Sequence, residues 1–216
     1  QNNGELSFEK PMPPVVPSFT TYTSDPAKPV PYTEDVHLSR TQEYMLDDQR
    51  FAARRPDVLV FQTAVLQEDL ILGGPIVADL TAAISTTDAD FVVKLIDVFP
   101  DDFTYEKPLK NNYSMSGYQM LVRGEVMRGK FRDSFEKPAA FVPNKPTRIK
   151  YTLPDIAHTF KKGHRLMIQI QSSWFPLVDM NPQTFTDIYH AKKTDFRKAA
   201  IRIYHNSSKI MLPVIK

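Results

Sequence analysis

Between Arg165 and Gln171 apolar and polar side chains alternate at every step. Leu166, Ile168 and Ile170 point one way; Arg165, Met167, Gln169 and Gln171 point the other. A period of two marks a strand with one face in a core. Lys161, Lys162 and Gly163 make the turn before it, since glycine takes positive φ at little steric cost. Trp174 and Phe175 follow, and Pro176, which has no N–H to give a ladder, ends the run. Residues 147–153 alternate in the same way, with Ile149, Tyr151 and Leu153 inward and Arg148 and Lys150 outward. Residues 90–98 are apolar on both faces, Phe91, Val93 and Leu95 against Val92, Ile96 and Val98, which predicts a strand buried on both sides. Further strands are predicted over 58–65, over 76–85 after a Gly73-Gly74-Pro75 turn, and over 118–127 with Gly124 at a bulge. Residues 200–205 and 210–215 read as a closing hairpin around Asn206-Ser207-Ser208, and 4–9 as a short opening strand.

Helical periodicity is thin. Phe185, Ile188 and Tyr189 have the spacing of a helix within 183–198, and 44–53 has room for a turn or two. There is no internal repeat. About eight strands with long, Pro-marked connections predict an all-β antiparallel sandwich, with the jelly roll as its specific form. Seven of the eighteen prolines lie between Pro11 and Pro31. Proline fixes φ and bars helix interiors, so residues 1–35 read as an extended Pro-rich strap laid on a surface through Phe8, Val15, Val16, Phe19 and Tyr22. Residues 36–216 are then the sandwich domain.

Composition narrows the chemistry. A chain of 216 residues can bury a core without metals or disulfides. With no cysteine, thiolate nucleophiles, disulfides and cysteine metal sites are excluded. The 27 basic residues are interleaved with 25 acidic ones for a net charge of +2, without the clustered Lys and Arg of a nucleic-acid binder. No apolar run approaches the ~18 residues that span a bilayer. The opening Gln1-Asn2-Asn3-Gly4 lacks signal-peptide regions, and an opening without Met suggests a mature form or an excised piece.

Catalytic signals are missing where a serine hydrolase would need them. None of the glycines at 4, 73, 74, 117, 124, 129 and 163 stands two residues before a serine, so there is no G-x-S-x-G elbow. His37, His158, His164, His190 and His205 have no partner at H-x-x-x-H spacing. A lone histidine near a strand end reads as a structural residue, His164 as one bonded to neighbouring backbone; for His37, in the irregular 36–55 stretch, a pocket-facing role is the alternative. No Asp-x-Asp-x-Asp-Gly calcium loop occurs, and no cofactor motif. Asp47 and Asp48 read as ion-pair partners of Arg50, Arg54 or Arg55. Trp174 can bury roughly 200 Å², so it must be covered by core, by another domain or by a ligand such as a sugar ring.

Four ordered blocks carry a family resemblance: DDQRFAARRPDVLVFQT over 47–63, DADFVVKLIDVFPDD over 88–102, YQMLVRGEVMRGKFR over 118–132 and GHRLMIQIQSSWFP over 163–176, with Asn181-Pro182 behind. Together they resemble the C-terminal, non-catalytic domain of the serine hydrolases that include X-Pro dipeptidyl-peptidases, cocaine esterase, α-amino-acid ester hydrolases and glutaryl-cephalosporin acylases. The wording over 43–55 and 173–185 is most like the acylase and ester-hydrolase branch. The resemblance implies a jelly roll of galactose-binding-domain type, and a catalytic triad wholly in a preceding α/β-hydrolase domain, so no catalytic residue is carried over. It implies an accessory domain, inactive alone, that packs on that catalytic domain, walls its active site and helps build a homo-oligomer. Tyr44, Met45, Asp47, Asp48, Trp174 and Phe175 are the pocket-wall or domain-interface residues this suggests, Asp47 and Asp48 also as a cation-attracting rim. The competing reading is a carbohydrate-binding module. Compartment stays open, since the acylase branch resembles exported, periplasmic enzymes and the X-Pro peptidases cytoplasmic ones.

Overall fold

The computed structural model describes residues 3–9, 18–105 and 114–215. In chain order its strands are β1 (Asn3–Glu5), β2 (Phe19–Ser24), β3 (Leu59–Gln62), β4 (Leu70–Ile84), β5 (Asp90–Val98), β6 (Gln119–Arg128), β7 (Thr147–Phe160), β8 (Arg165–Gln171), β9 (Ala199–Tyr204) and β10 (Lys209–Met211). One short helix, α1 (Arg50–Ala53), and four single 3-10 turns complete the regular structure of the described residues. The first sheet runs β1-β3-β8-β5-β6; the second runs β10-β4-β9-β2, with β7 along the other edge of β4. All pairings are antiparallel except β1 with β3. The all-β sandwich is therefore what forms.

The two sheets face each other across a core that includes Leu80, Ile84, Phe91, Leu95, Ile149, Leu153 and Ile168. The alternation on β7 and β8 places those side chains. Strand β8 departs from expectation on its other face: Met167, Gln169 and Gln171 are buried too. A layer of irregular chain lies over them, and its apolar contacts form a second core of Val30, Tyr32, Ala52, Val58, Val60, Val92, Ile96, Leu121, Met167 and Trp174. The first sheet is thus the middle layer of three, and β5 is buried from Asp90 to Asp97 as its two apolar faces predict.

Other elements differ from the sequence reading for identifiable reasons. Gly73-Gly74-Pro75 is not a turn but lies within β4. The strand passes through with a register shift between Gly74 and Ile76, Gly74 holding φ at 127°. Residues 199–211 are not a hairpin. Strand β4 is long enough that β9 and β10 lie in succession along one of its edges, and Ser208 accepts the Thr81 N–H where the chain crosses between them. The helix over 183–198 is replaced by 3-10 turns at Ile188–His190 and Lys193–Asp195. Its apolar spacing finds nothing to pack on, since Phe185 and Tyr189 are exposed. Its polar groups are used elsewhere: Gln183 Nε2 donates to the carbonyls of Ser24 and Arg197, and Thr184 to that of Asp195. The bulge on β6 falls at Val122, between Leu121 opposite Ile96 and Arg123 opposite Leu95, rather than at Gly124. Within the Pro-rich 1–35 stretch, Asn3–Glu5 and Phe19–Ser24 are strands of the two sheets. Among its expected anchors Tyr22 is buried, Phe8 and Phe19 are exposed, and Val15 and Val16 lie outside the described residues.

Candidate functional site in the layer over the first sheet

Five of the six residues singled out above meet in the covering layer or at its edge. Trp174 is 6% exposed, in edge contact with Tyr44 at 6.0 Å between ring centres, and Tyr44 in turn meets Tyr32 at 5.8 Å. Gly124 makes room for the indole: a Cβ there would lie 2.8 Å from Trp174 Cη2. Phe175 continues from Trp174 and is locked by backbone bonds, its N–H donating to Val30 O at 3.0 Å and its carbonyl accepting from Tyr32 N–H at 2.9 Å. Asp48 accepts from Arg50 Nε at 2.6 Å and from the Arg50 and Gln119 N–H groups. Asp47 accepts the Glu34 N–H. Met45 is the sixth; it closes a 3-10 turn, Glu43–Met45, and is exposed. Tyr118 OH donates to the Leu46 carbonyl, tying that turn to β6.

At the centre of the layer stands a residue the sequence reading passed over. Lys94, in the middle of β5, is 0% exposed. Its Nζ donates to Gln49 Oε1 at 2.9 Å and lies 5.2 Å from the centre of the Trp174 ring and 5.8 Å from that of Phe51. No carboxylate pairs with it among the described residues. Burial alone brings its pKa down from 10.5 to about 7. Gln49 is the keystone on the other side: its N–H donates to Gln119 O, and its carbonyl accepts from Gln169 Nε2 at 3.3 Å. The signal was present as one lysine inside the apolar run of 91–96.

The outer rim contrasts with this interior. Val36 and Leu38 are fully exposed, Leu46 largely so, and Met45 and Phe175 in part. His37 is exposed among them.

Two buried polar clusters lie elsewhere. Asp97 accepts from His158 Nε2 at 3.0 Å and from His164 Nδ1 at 2.8 Å, joining β5 to β7 across the sandwich. His164 is structural, but its partner is this carboxylate, distant in sequence, and not adjacent backbone. At the other end of β5, Asp90 pairs with Arg128 through two bonds of 3.0 Å, and Asn181 Nδ2 donates to both Asp90 and Asp88. Burial, then the charge of Asp90, raises Asp88 to about 6; burial also raises Asp90, opposed by Arg128. The Arg128 guanidinium supplies positive charge there, and the Lys130 backbone N–H donates to Asp88. No group of three His, Asp or Glu among the described residues is placed to hold a metal ion.

The signature described as the X-Pro dipeptidyl-peptidase C-terminal non-catalytic domain matches residues 10–209. A cocaine esterase of Rhodococcus sp. (strain MB1 Bresler) is 30% identical over 202 residues, covering 92% of this chain and 33% of that protein. A solved aminopeptidase from the marine sediment archaeon Thaumarchaeota archaeon is 41% identical with a TM-score of 0.89, covering 100% of this chain and 36% of its own. A solved α-amino acid ester hydrolase is likewise 41% identical with a TM-score of 0.89, over 98% of this chain and 35% of its own. A CocE/NonD family hydrolase from Staphylococcus aureus, at 13% identity and a TM-score of 0.56, shares the fold. The chain spans about a third of the length of the relatives it matches.

Proposed function

The chain belongs to the X-Pro dipeptidyl-peptidase C-terminal non-catalytic domain family, and on that footing we propose that it is the accessory domain of a larger serine hydrolase acting on ester or amide bonds. Its partner is the α/β-hydrolase catalytic domain of the same parent. The covering layer is the docking face, and 34–46 is the part that reaches toward the neighbour's active site. The observation that carries this reading is the contrast within that layer. Val36, Leu38 and Leu46 stand in solvent with Met45 partly exposed beside them, while Tyr32, Tyr44 and Gln49 behind them are fixed by rings and hydrogen bonds. Exposed apolar side chains gathered on a rigid base mark an interaction surface. Asp47 and Asp48 are committed to backbone and to Arg50, so the apolar residues, not the carboxylates, are the wall. A sugar-binding role lacks comparable support, because the Trp174 face that would stack on a pyranose is buried.

The test is hydrolysis of p-nitrophenyl acetate and of an amino-acid methyl ester by this chain alone, and then with the catalytic domain added in trans. No turnover alone and stimulation on mixing is the expected result. Leu38→Asp should weaken the stimulation about tenfold, a loss on the order of one interface anchor, while leaving the unfolding midpoint of the chain unchanged. Turnover by the chain alone, abolished by replacing one of its own Ser or His residues, would refute the proposal.

A further inference from the structure

The covering layer closes over a lysine that has nothing to balance its charge. The groups around Lys94 Nζ are uncharged: Gln49 and Phe51 from the layer, Trp174 from the segment after β8, with Gln169 opposite on β8 and Gly124 opposite on β6. The charged groups on these elements are engaged elsewhere. Asp48 and Arg50, on either side of Gln49, bond each other, and Asp47 accepts the Glu34 N–H. Arg123 and Glu125, on either side of Gly124, alternate to the other face of β6, where Arg123 bonds the Asp155 carbonyl. Asp90 and Arg165 lie toward opposite ends of this face of the sheet, bonded to Arg128 and to the Thr63 carbonyl. Tyr44 stands behind Trp174. An ammonium carries three donors, and Nζ finds one acceptor, Gln49 Oε1. The faces of Trp174 and Phe51 attract a cation and return part of the cost of burying it. Beside them Gln169 Oε1 and Trp174 Nε1 are buried with no hydrogen-bond partner among the described residues.

The chain over Lys94 is held more lightly than the strand beneath it. Helix α1 has four residues. The segment 46–53 is tied to the first sheet chiefly around Gln49: its N–H donates to Gln119 O, its carbonyl accepts from Gln169 Nε2, and its side chain takes the Lys94 bond. Asp48 adds a bond to the Gln119 N–H, and Leu46 one to Tyr118 OH. Strand β5, by contrast, is paired along both edges. Segments with few bonds open at lower free energy than strands inside a sheet. Lifting 46–53 takes Gln49 and Phe51 off Nζ and admits water without breaking a strand pair. We propose that the covering layer is a proton-operated latch: neutral Lys94 lets 46–53 close on β5, and protonation drives that segment open while the sheets stay folded. The direction follows from burial, which brings the closed-state pKa from 10.5 down to about 7. Opening returns the amine to water and to its ordinary value. Between those two values the open state binds more protons, so opening grows as pH falls through that window and levels off below 7. The segment adjoins the docking rim, and the latch thereby regulates docking. That regulation rests on the accessory-domain reading; the opening itself does not.

The experiment is amide hydrogen exchange on the 216-residue chain, from about pH 7 to about pH 10, corrected for the intrinsic rise of exchange with pH. Gln49, whose N–H crosses to Gln119 O, reports the latch; the paired amides of β5 and β8 report the sheet. Gln49 should be less protected than the strands throughout, and its protection should rise about tenfold for each pH unit. In Lys94→Met that slope should vanish. A flat profile in the unsubstituted chain overturns the proposal without relying on any variant. Protection of Gln49 equal to that of the strands also overturns it, since the event is then global unfolding, and so does a slope that persists in Lys94→Met. Docking is read as the chain concentration that half-stimulates the catalytic domain in trans. At about pH 7 less Lys94→Met than unsubstituted chain should be needed, the two converging toward about pH 10. Equal concentrations at both values overturn the regulatory role. No stimulation at any pH removes the accessory-domain reading, and the regulation with it, while the exchange result still decides the latch.

Discussion

Two buried ionisable groups set opposite demands on proton concentration. Folded Lys94 releases its proton at about 7, whereas in the unfolded chain it holds it to its ordinary 10.5. Between those values the unfolded chain binds more protons, so stability rises with pH; below 7 both states are charged and the fold carries the full cost of a buried cation. Asp88 works the other way. Folded, it keeps its proton to about 6, against an ordinary 3.8. Over that window the folded chain binds more protons, so its stabilising contribution is complete below 3.8 and is lost as pH climbs through 6. Denaturant midpoints measured from acid to alkali should therefore trace a valley with its floor between about 6 and 7. Lys94→Met should remove the alkaline rise. Asp88→Asn should reduce the acid fall and leave the share due to Asp90, which burial also raises. A Lys94→Met profile that still climbs from 7 to 10.5 would mean that another group carries it.

Among the elements, the covering layer is where sequence and structure part. Strands β5 and β7, and the core face of β8, were legible because alternation, or its absence, reports burial directly: Ile149, Tyr151 and Leu153 face the core, while Arg148 and Lys150 face water. The layer over the first sheet has no period to read. Its order comes from single contacts such as Lys94 with Gln49 and Trp174 against Gly124, and from backbone bonds like that of Phe175 to Val30. Each joins residues tens of positions apart. Spacing along the chain therefore picked out Tyr44, Asp48 and Trp174 as residue types but not Gln49 or Lys94 as their partners. The same limit hid Asp97, whose two histidines are 61 and 67 residues away. The Trp174 contact makes a sharp prediction. Gly124→Ala should cost about 1–3 kcal/mol by overpacking, and Trp174→Ala about 3–5 kcal/mol. In a Trp174→Ala background the added methyl at 124 should cost much less, so the two changes measured as a double-mutant cycle should be strongly non-additive. An additive cycle would show that the indole is not what requires glycine there.

At the scale of the whole molecule, polar ties join the three layers alongside apolar packing. Asp97 is one that bridges the sheets, with β5 on one side and His158 of β7 on the other. Asp97→Ala would strand two imidazoles, His164 being buried. At about 1–3 kcal/mol for each group left unsatisfied, and about 2–4 °C per kcal/mol for a chain of this size, calorimetry should show the unfolding temperature falling by several degrees at least. An unchanged transition would mean that the Asp97 tie adds nothing to holding the sheets together. The middle layer carries a different consequence. Strand β5 has core on one side and covering chain on the other, and none of its residues from Asp90 to Asp97 reaches solvent. On a one-faced strand such as residues 147–153, outward positions like Lys150 and Thr152 are exposed and can accept a label, charge or tag. Strand β5 offers no such permissive position. A designer altering this domain would have to leave Asp90 to Asp97 untouched.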